Sequence, residues 1–165
     1  MVAESKQARI DKAAQEAKVR AQKHLRSLHH SLVRSDVMRH HHDGLIHEVM
    51  KENDLNAFNS TRKSRFSAYI AFWFTGLTGV IERYEELRDK GAIPRCVDLD
   101  RLITTEFKDI VKPFRNSVAH CSDHDDRRTM ELFSHEKTVP DQAAEIAKAF
   151  HRYFSLHRKD NTTDP

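Results

Sequence analysis

Residues 64–91, SRFSAYIAFWFTGLTGVIERYEELRDKG, form the most apolar segment of the chain and decide its fold. Large apolar side chains recur there at steps of three and four, which places them on one face of a helix. These are Phe66, Tyr69, Ile70, Trp73, Phe74, Leu77, Val80, Ile81, Tyr84 and Leu87. The helix opens at Ser64 or Ser67, and Lys90 and Gly91 form the usual signal of its C-terminus. The segment is therefore predicted to be the central helix of a bundle.

Two glycines lie inside this predicted helix. Gly76 and Gly79 would each cost about 1 kcal/mol relative to alanine in a helix interior. Their presence predicts either a close approach of a second helix or a bend at this point.

The N-terminal side of the central segment also has helical periodicity. Residues 1–39 carry a thin stripe of apolar residues that predicts one long helix. The stripe consists of Ile10, Ala14, Ala17, Ala21, Leu25, Leu28 and Leu32. Because its first half is mostly alanine, it offers little burial energy, and the first turns are expected to project from the body or to pack against a second chain. A short second helix is predicted from Asp43 to Lys51, followed by a polar loop.

The C-terminal side predicts two further helices. The first is capped by Asp98 and runs to Val111, after which Pro113 is expected to cause a kink or a new helix start. The last helix follows residues 139–141 and carries Ile146, Ala147, Phe150, Tyr153 and Phe154.

Composition supports a single helical domain. The chain has 165 residues, which suits one core, and only four glycines and four prolines, which favours helices over turn-rich β structure. We therefore expect an all-α antiparallel helical bundle of four to five helices in one domain over residues 1–160. Within it, residues 1–39 form the long N-terminal helix and residues 64–158 the core bundle, and residues 161–165 form a disordered tail.

Charge and cysteine content narrow the class of protein. A formal net charge of +3 permits binding to nucleic acid but is far below the charge of a dedicated nucleic-acid coat. Cys96 and Cys121 form no CxxC pair, so neither a disulfide framework nor a zinc knuckle is indicated. No signal-peptide core and no membrane-spanning run is present. A cytoplasmic protein without a membrane partner is expected.

The stretch 112–120, KPFRNSVAH, carries the candidate chemistry. On one continuous helix, Arg115 and His120 would point about 140 degrees apart and could not share a site. If a new helix begins at Pro113, Arg115 lies in its first turn, where free amide groups favour an anion. Asn116 and His120 are four apart and share a face, so the amide could orient the imidazole. An arginine that binds phosphate beside an oriented imidazole suits cleavage of a phosphodiester.

A chance pairing is the competing interpretation of these residues, because the chain contains 12 histidines. The sequence around these residues favours a functional motif over a chance pairing. The block from Tyr69 to His120, about a third of the chain, resembles the HEPN superfamily of small helical domains. The signature of that family is an arginine and a histidine a few residues apart, often with asparagine directly after the arginine, and RNSVAH has this form.

This resemblance implies a homodimer in which two copies of the motif face one cleft, and active members are metal-independent endoribonucleases. It implies that Arg115 contacts the scissile phosphate and that His120 is the general acid or base as the ribose 2′-hydroxyl attacks. Asn116 would support them, and Glu82, with Glu85 or Glu86 behind it, would engage the arginine from the preceding helix.

The same resemblance implies a toxin or phage-defence role, with RNA as substrate, an antitoxin protein as a possible partner and no cofactor. Because many members of the superfamily are inactive, a non-catalytic module that binds RNA or protein is the alternative. The sequence leaves the RNA substrate and the regulator open.

Two histidine-rich stretches are competing sites. His40, Asp43 and His47 are spaced so that they could place metal ligands along one helical face. Residues 120–124, HCSDH, form a second cluster. Neither stretch matches a known ligand pattern, and surface histidine is the simpler interpretation, so no metal is assigned.

Overall fold

Helices make up every regular element in the described part of the chain, which in this computed structural model is residues 6–52, 60–120 and 139–158. Residues 52, 60 and 113–120 are described by their backbone alone. The helices are α1 (Lys6–Glu52), α2 (Ser60–Asp89), α3 (Val97–Leu102), α4 (Thr105–His120) and α5 (Val139–Arg158). The predicted all-α helical bundle is confirmed.

α2 is the central helix and contacts α1, α4 and α5. It begins at Ser60, before the predicted Ser64, and its apolar face is buried from Ile70 to Leu87. Ser35 of α1 bonds to the carbonyl of Trp73, and His42 of α1 packs on Phe66, so α1 and α2 run antiparallel. The core that forms around α2 also contains buried residues of α1, α3, α4 and α5.

α1 is a single helix of 47 residues, so the predicted separate helix from Asp43 to Lys51 is wrong. Asp43 lies within α1 and accepts hydrogen bonds from Arg39 Nη1 at 3.2 Å and from His42 Nδ1 at 3.0 Å. The buried face established by Leu32 continues through His42 and Leu45. Burial of that face outweighs the cost of Gly44, about 1 kcal/mol, and the helix does not end there.

The first part of α1 extends away from the core. Every residue from Lys6 to Arg20 is exposed, and burial begins at Leu25. Ile10 and Val19 keep 52% and 59% of their surface exposed. This arrangement agrees with the expectation drawn from the weak alanine stripe, that the first turns project from the body.

The two glycines of α2 behave differently. A Cβ added to Gly76 would lie 2.9 Å from Cβ of Ser35, so α1 and α2 approach closely there. The Oγ of Ser35 donates a hydrogen bond of 2.9 Å to the carbonyl oxygen of Trp73 at the same contact. A Cβ on Gly79 would meet nothing within 4 Å. The close approach, one of the two predicted alternatives, is therefore confirmed at Gly76, and at Gly79 no second helix comes close.

The segment after α2 contains two helices where one was predicted from Asp98 to Val111. α3 begins at Val97 and ends at Leu102, and α4 begins at Thr105. Oγ1 of Thr104 accepts a hydrogen bond of 3.1 Å from the amide of Phe107, which caps the start of α4. The turn between the two helices lets Leu99 and Phe107 both reach the core.

α4 continues through Pro113 to His120, so the expected new start at this proline is wrong. Phe107 and Val111 are both 1% exposed and fix the helix against the core before the proline is reached. The helix is therefore already formed before Pro113. Continuing it through the proline loses one backbone hydrogen bond, whereas starting a new helix would require a second, unfavourable nucleation step.

α5 begins at Val139, slightly earlier than predicted, with Pro140 in its first turn, where the missing amide hydrogen costs nothing. Asp36 of α1 contacts His151, and Gln22 of α1 contacts His157, so α1 and α5 run antiparallel. No helix in the described part of the chain is both long enough and apolar enough to cross a membrane.

Candidate nucleic-acid interface

The three motif residues lie on the second half of α4. Their backbone is helical, and their side chains are outside the described part of the structure. Asn116 and His120 occupy neighbouring positions on one face of the helix, as predicted. Arg115 and His120 occupy positions about 140 degrees apart around the same helix. The two backbone positions therefore lie on different faces of a single α4.

α4 is held against α2 at its first half. Nζ of Lys108 lies 2.9 Å from Oε1 of Glu85, near the C-terminal end of α2. Because α4 starts there and stays in contact with α2, it runs back along α2 in the antiparallel direction. Residue 115 then lies beside an earlier part of α2 than Glu85 does.

The candidate acidic residues of α2 differ in their surroundings. Glu85 pairs with Lys108, and Glu86 pairs with Arg83 and with Nζ of Lys90 at 2.6 Å. Hydrogen bonds from Lys90 and Arg83 lower the pKa of Glu86 to about 2. Glu82 is exposed on the same helix. Glu82, the acidic residue that the resemblance places beside the motif arginine, stays a candidate on that resemblance alone.

The histidine stretch at 40–47 is described in the structure and has other partners. Nδ1 of His40 donates to the carbonyl oxygen of Asp36 at 2.7 Å. Asp43 pairs with Arg39, and His42 is buried against Phe66, with ring centroids 4.8 Å apart. Within the described ranges no three or more His, Cys, Asp or Glu side chains are grouped to hold a metal ion. In the cluster at 120–124, residues 121–124 and the side chain of His120 lie outside the described part.

Sequence reasoning missed a groove between α1 and α5, which we call the α1–α5 groove. Its volume is about 440 Å³. Leu25 of α1 and Phe154 of α5 are buried and form its apolar floor.

Cationic and imidazole side chains form the walls of the α1–α5 groove. α1 contributes Arg26, His29 and His30, and α5 contributes His157 and Arg158. No carboxylate is among the described residues that line it. A concave surface with this composition is suited to an anion.

His29 lies at the centre of this wall. Its ring centroid is 5.3 Å from that of Phe154, 6.1 Å from that of His151 and 6.4 Å from that of His30. Partial burial lowers the pKa of His29, and the nearby His151, His30 and Arg158 lower it further. The imidazole therefore loses its proton more readily than an exposed histidine does, because its neighbours are cations or groups that become cations.

A buried carboxylate fixes one side of this region. Asp36 is 8% exposed, and its Oδ2 lies 2.5 Å from Nε2 of His151. Its Oδ1 accepts a hydrogen bond from Nε of Arg39 at 3.3 Å. The carboxylate thus pairs with His151 and ties α5 to α1 beside the groove.

The sequence contains a weak signal for this groove. His29 directly follows Leu28 of the α1 stripe, and His151 directly follows Phe150 of the α5 stripe. Both histidines therefore sit at the edge of a buried helical face, where side chains reach the boundary between two helices. Pairing them would have required the packing of α1 on α5, which no local spacing shows.

Comparison with known proteins gave no match, whether to a family model, to a curated protein or to a solved structure. The described part of the chain is an all-α helical bundle. It carries a histidine-containing motif on α4 and a basic groove between α1 and α5.

Proposed function

We propose that this protein is a HEPN-like endoribonuclease that acts as a homodimer and cuts RNA with Arg115 and His120. The observation that carries the proposal is the placement of the motif RNSVAH on one helix, α4, which the core holds rigidly at Phe107 and Val111. Functional side chains on an anchored helix are more accurately positioned than side chains on a loop.

The chemistry follows from the three residue types. The guanidinium of Arg115 binds the scissile phosphate through two parallel hydrogen bonds and stabilises the charge that develops there. The imidazole of His120 takes the proton of the ribose 2′-hydroxyl while water protonates the departing 5′-oxygen, or, as the imidazolium, it protonates that oxygen while water takes the hydroxyl proton. The 2′-oxygen bonds to phosphorus as the bond to the 5′-oxygen breaks, which leaves a cyclic phosphate. Asn116 orients the imidazole, and Glu82 engages Arg115; no metal takes part.

A second copy of the chain completes the site. On one α4 the positions of Arg115 and His120 diverge by about 140 degrees. If two α4 helices pack antiparallel about a twofold axis that passes near residues 117 and 118, residue 115 of each lies level with residue 120 of the other. In the proposed dimer, each active site takes its arginine from one protomer and its histidine from its partner.

The biological setting is part of the proposal. The proposed setting is a cytoplasmic nuclease of the toxin or phage-defence type, and unrestrained cutting of RNA harms the cell that makes it. A regulating protein of the antitoxin kind is therefore a proposed partner.

The first test is cleavage of labelled RNA by purified protein in the presence of a chelator. Wild-type protein is expected to cut the RNA and to leave a cyclic phosphate, because His120 supplies the proton transfers. The variant His120→Ala is expected to lose at least about 100-fold in rate, the usual size of a general acid–base contribution. The matched control is His47→Ala, an exposed histidine on α1.

Two results of this experiment would count against the assignment. Undiminished cleavage by His120→Ala removes the histidine from the mechanism. Loss of wild-type activity in the chelator, with recovery on addition of a metal, favours a metal-dependent enzyme.

A non-catalytic HEPN-like module is the second candidate, and one observation favours it. α4 is continuous through Pro113, so a lone protomer does not bring Arg115 and His120 together. If the protein binds RNA or a partner protein but leaves RNA intact, this second function replaces the first.

A further inference from the structure

The described residues that line the α1–α5 groove carry positive charge on both helices. Arg26 and Arg158 stand on opposite walls and stay charged at every physiological pH. The described lining residues include no carboxylate. Asp36, which contacts this region through His151, is already bonded to Arg39.

We infer that the α1–α5 groove binds the sugar-phosphate backbone of single-stranded RNA, at a place separate from the motif on α4. The choice of RNA rests on the proposed function, and the phosphate chemistry rests on the groove itself. Two guanidinium groups on facing walls can bind two successive phosphates, or each can bind two oxygens of one phosphate. A single small carboxylate could not pair with both arginines in this way.

The shape of the groove agrees with a nucleotide as occupant. Its volume of about 440 Å³ lies in the range of pockets that bind small organic ligands. The buried side chains of Leu25 and Phe154 give it an apolar floor on which a ribose or the edge of a base can rest. A strand of RNA, with phosphate on one side and the apolar surface of its sugars and bases on the other, matches this arrangement.

The imidazoles make this binding depend on pH. Around His29 stand Arg26 and His30 from α1 and His151, His157 and Arg158 from α5, with Asp36 bonded to His151. The cationic surroundings lower the pKa of His29 in the free protein, after the effect of burial. A bound phosphate offsets that positive field and favours the protonated imidazole, so RNA should bind more tightly at pH 6 than at pH 8.

The groove and the motif are expected to affect different steps. The described lining residues come from α1 and α5, and none comes from α4. The groove should therefore contribute to RNA affinity and to KM, whereas His120 should contribute to kcat.

The test uses fluorescence anisotropy of labelled single-stranded RNA with the full chain in an His120→Ala background, where the RNA stays intact. The double variant Arg26→Ala with Arg158→Ala is expected to weaken binding at least 10-fold and to reduce the salt dependence of binding by about two phosphate contacts. The matched control is Arg34→Ala with Arg152→Ala, since both arginines are exposed on the same two helices outside the groove. It is expected to change affinity less than twofold.

A second readout is the pH dependence. RNA binding by the His120→Ala protein, the parent of these variants, should strengthen several-fold from pH 8 to pH 6. Adding His29→Gln should reduce that change in affinity. All four substituted arginines are exposed, so melting curves of the two double variants should coincide and exclude loss of fold.

The outcomes separate this inference from the nuclease proposal. If the groove variant and the control variant bind RNA equally, or if the parent protein binds no RNA, the groove inference is wrong. With His120 restored, normal cleavage by the groove variant would then leave the nuclease proposal standing. RNA binding that depends on the groove, in a protein that cuts nothing, would support the groove and overturn the nuclease.

Discussion

Asp100 stabilises the connection between α2 and α3 by binding several groups at once. Its Oδ1 lies 2.5 Å from Nη1 of Arg88 and 3.3 Å from the hydroxyl of Tyr84, and its Oδ2 lies 2.6 Å from Nε of Arg95. Burial alone would raise the pKa of Asp100, but hydrogen bonds from Arg95 and Arg88 outweigh it and lower the pKa. The folded state therefore favours the ionised carboxylate.

The variant Asp100→Asn is expected to lower the free energy of unfolding by about 1–3 kcal/mol at pH 7, because it removes the partly buried anion of Arg88 and leaves that arginine only its surface contact with Asp89. Since the folded pKa lies below the ordinary value of 3.8, the carboxylate contributes its full stability above that value. The contribution is lost as pH falls through the lowered pKa. Urea unfolding at pH 7 and at pH 3 measures both effects.

Asp89→Asn is the matched control for this prediction. Its carboxylate is 67% exposed and contacts Arg88 at the surface, so its removal should cost at most about 1 kcal/mol. Equal losses in the two variants, or a loss in Asp100→Asn that does not shrink in acid, would contradict the role given to Asp100.

At the scale of the element, the two glycines of α2 offer a direct measure of helix packing. Gly76→Ala places a Cβ 2.9 Å from Cβ and 3.3 Å from Cα of Ser35, so α1 must move. Overpacking costs about 1–3 kcal/mol and exceeds the gain of about 1 kcal/mol in helix propensity. A net loss of about 1 kcal/mol in the free energy of unfolding is expected.

Gly79→Ala should have the opposite sign, because nothing lies within 4 Å of the new methyl group. The gain in helix propensity is then about 0.5–1 kcal/mol. Chemical denaturation of the two variants side by side measures the difference. A stabilised Gly76→Ala variant would mean that α1 does not approach α2 as closely as the structure shows.

The elements that the sequence predicted well are those with a strong apolar face. The spacing of large side chains in α2 and α5 was enough to place both helices, since the burial of such a face dominates their energetics. The errors lie at single residues with a strong local tendency. Asp43, Pro113 and the Ile103–Thr104 turn were each misjudged, because packing of the neighbouring residues decided whether the helix continued.

At the scale of the whole molecule, the candidate sites differ in how far the sequence could reveal them. The motif of Arg115, Asn116 and His120 is contiguous, so its spacing was visible without a structure. The α1–α5 groove joins residues such as His29 and Arg158 that only the antiparallel packing of two distant helices brings together. Local periodicity places each residue on its helix but does not say which helices are neighbours.

The composite site of the proposed dimer makes the last prediction, which concerns two chains at once. Arg115→Ala and His120→Ala homodimers should each be inactive, because each lacks one residue at both sites. In a mixed dimer, the protomer with His120→Ala still supplies Arg115, and the protomer with Arg115→Ala still supplies His120. One of the two sites is then complete.

Mixing the two inactive variants under conditions that allow subunit exchange should therefore restore activity. Random exchange makes half of the dimers mixed, each with one working site of two, so about a quarter of the wild-type rate is expected. The control is the double variant Arg115→Ala with His120→Ala mixed with wild-type protein, in which a mixed dimer has no complete site. If the two single variants stay inactive after exchange, verified by native mass spectrometry, then each site needs both residues from one chain, and the antiparallel pairing of α4 helices is wrong.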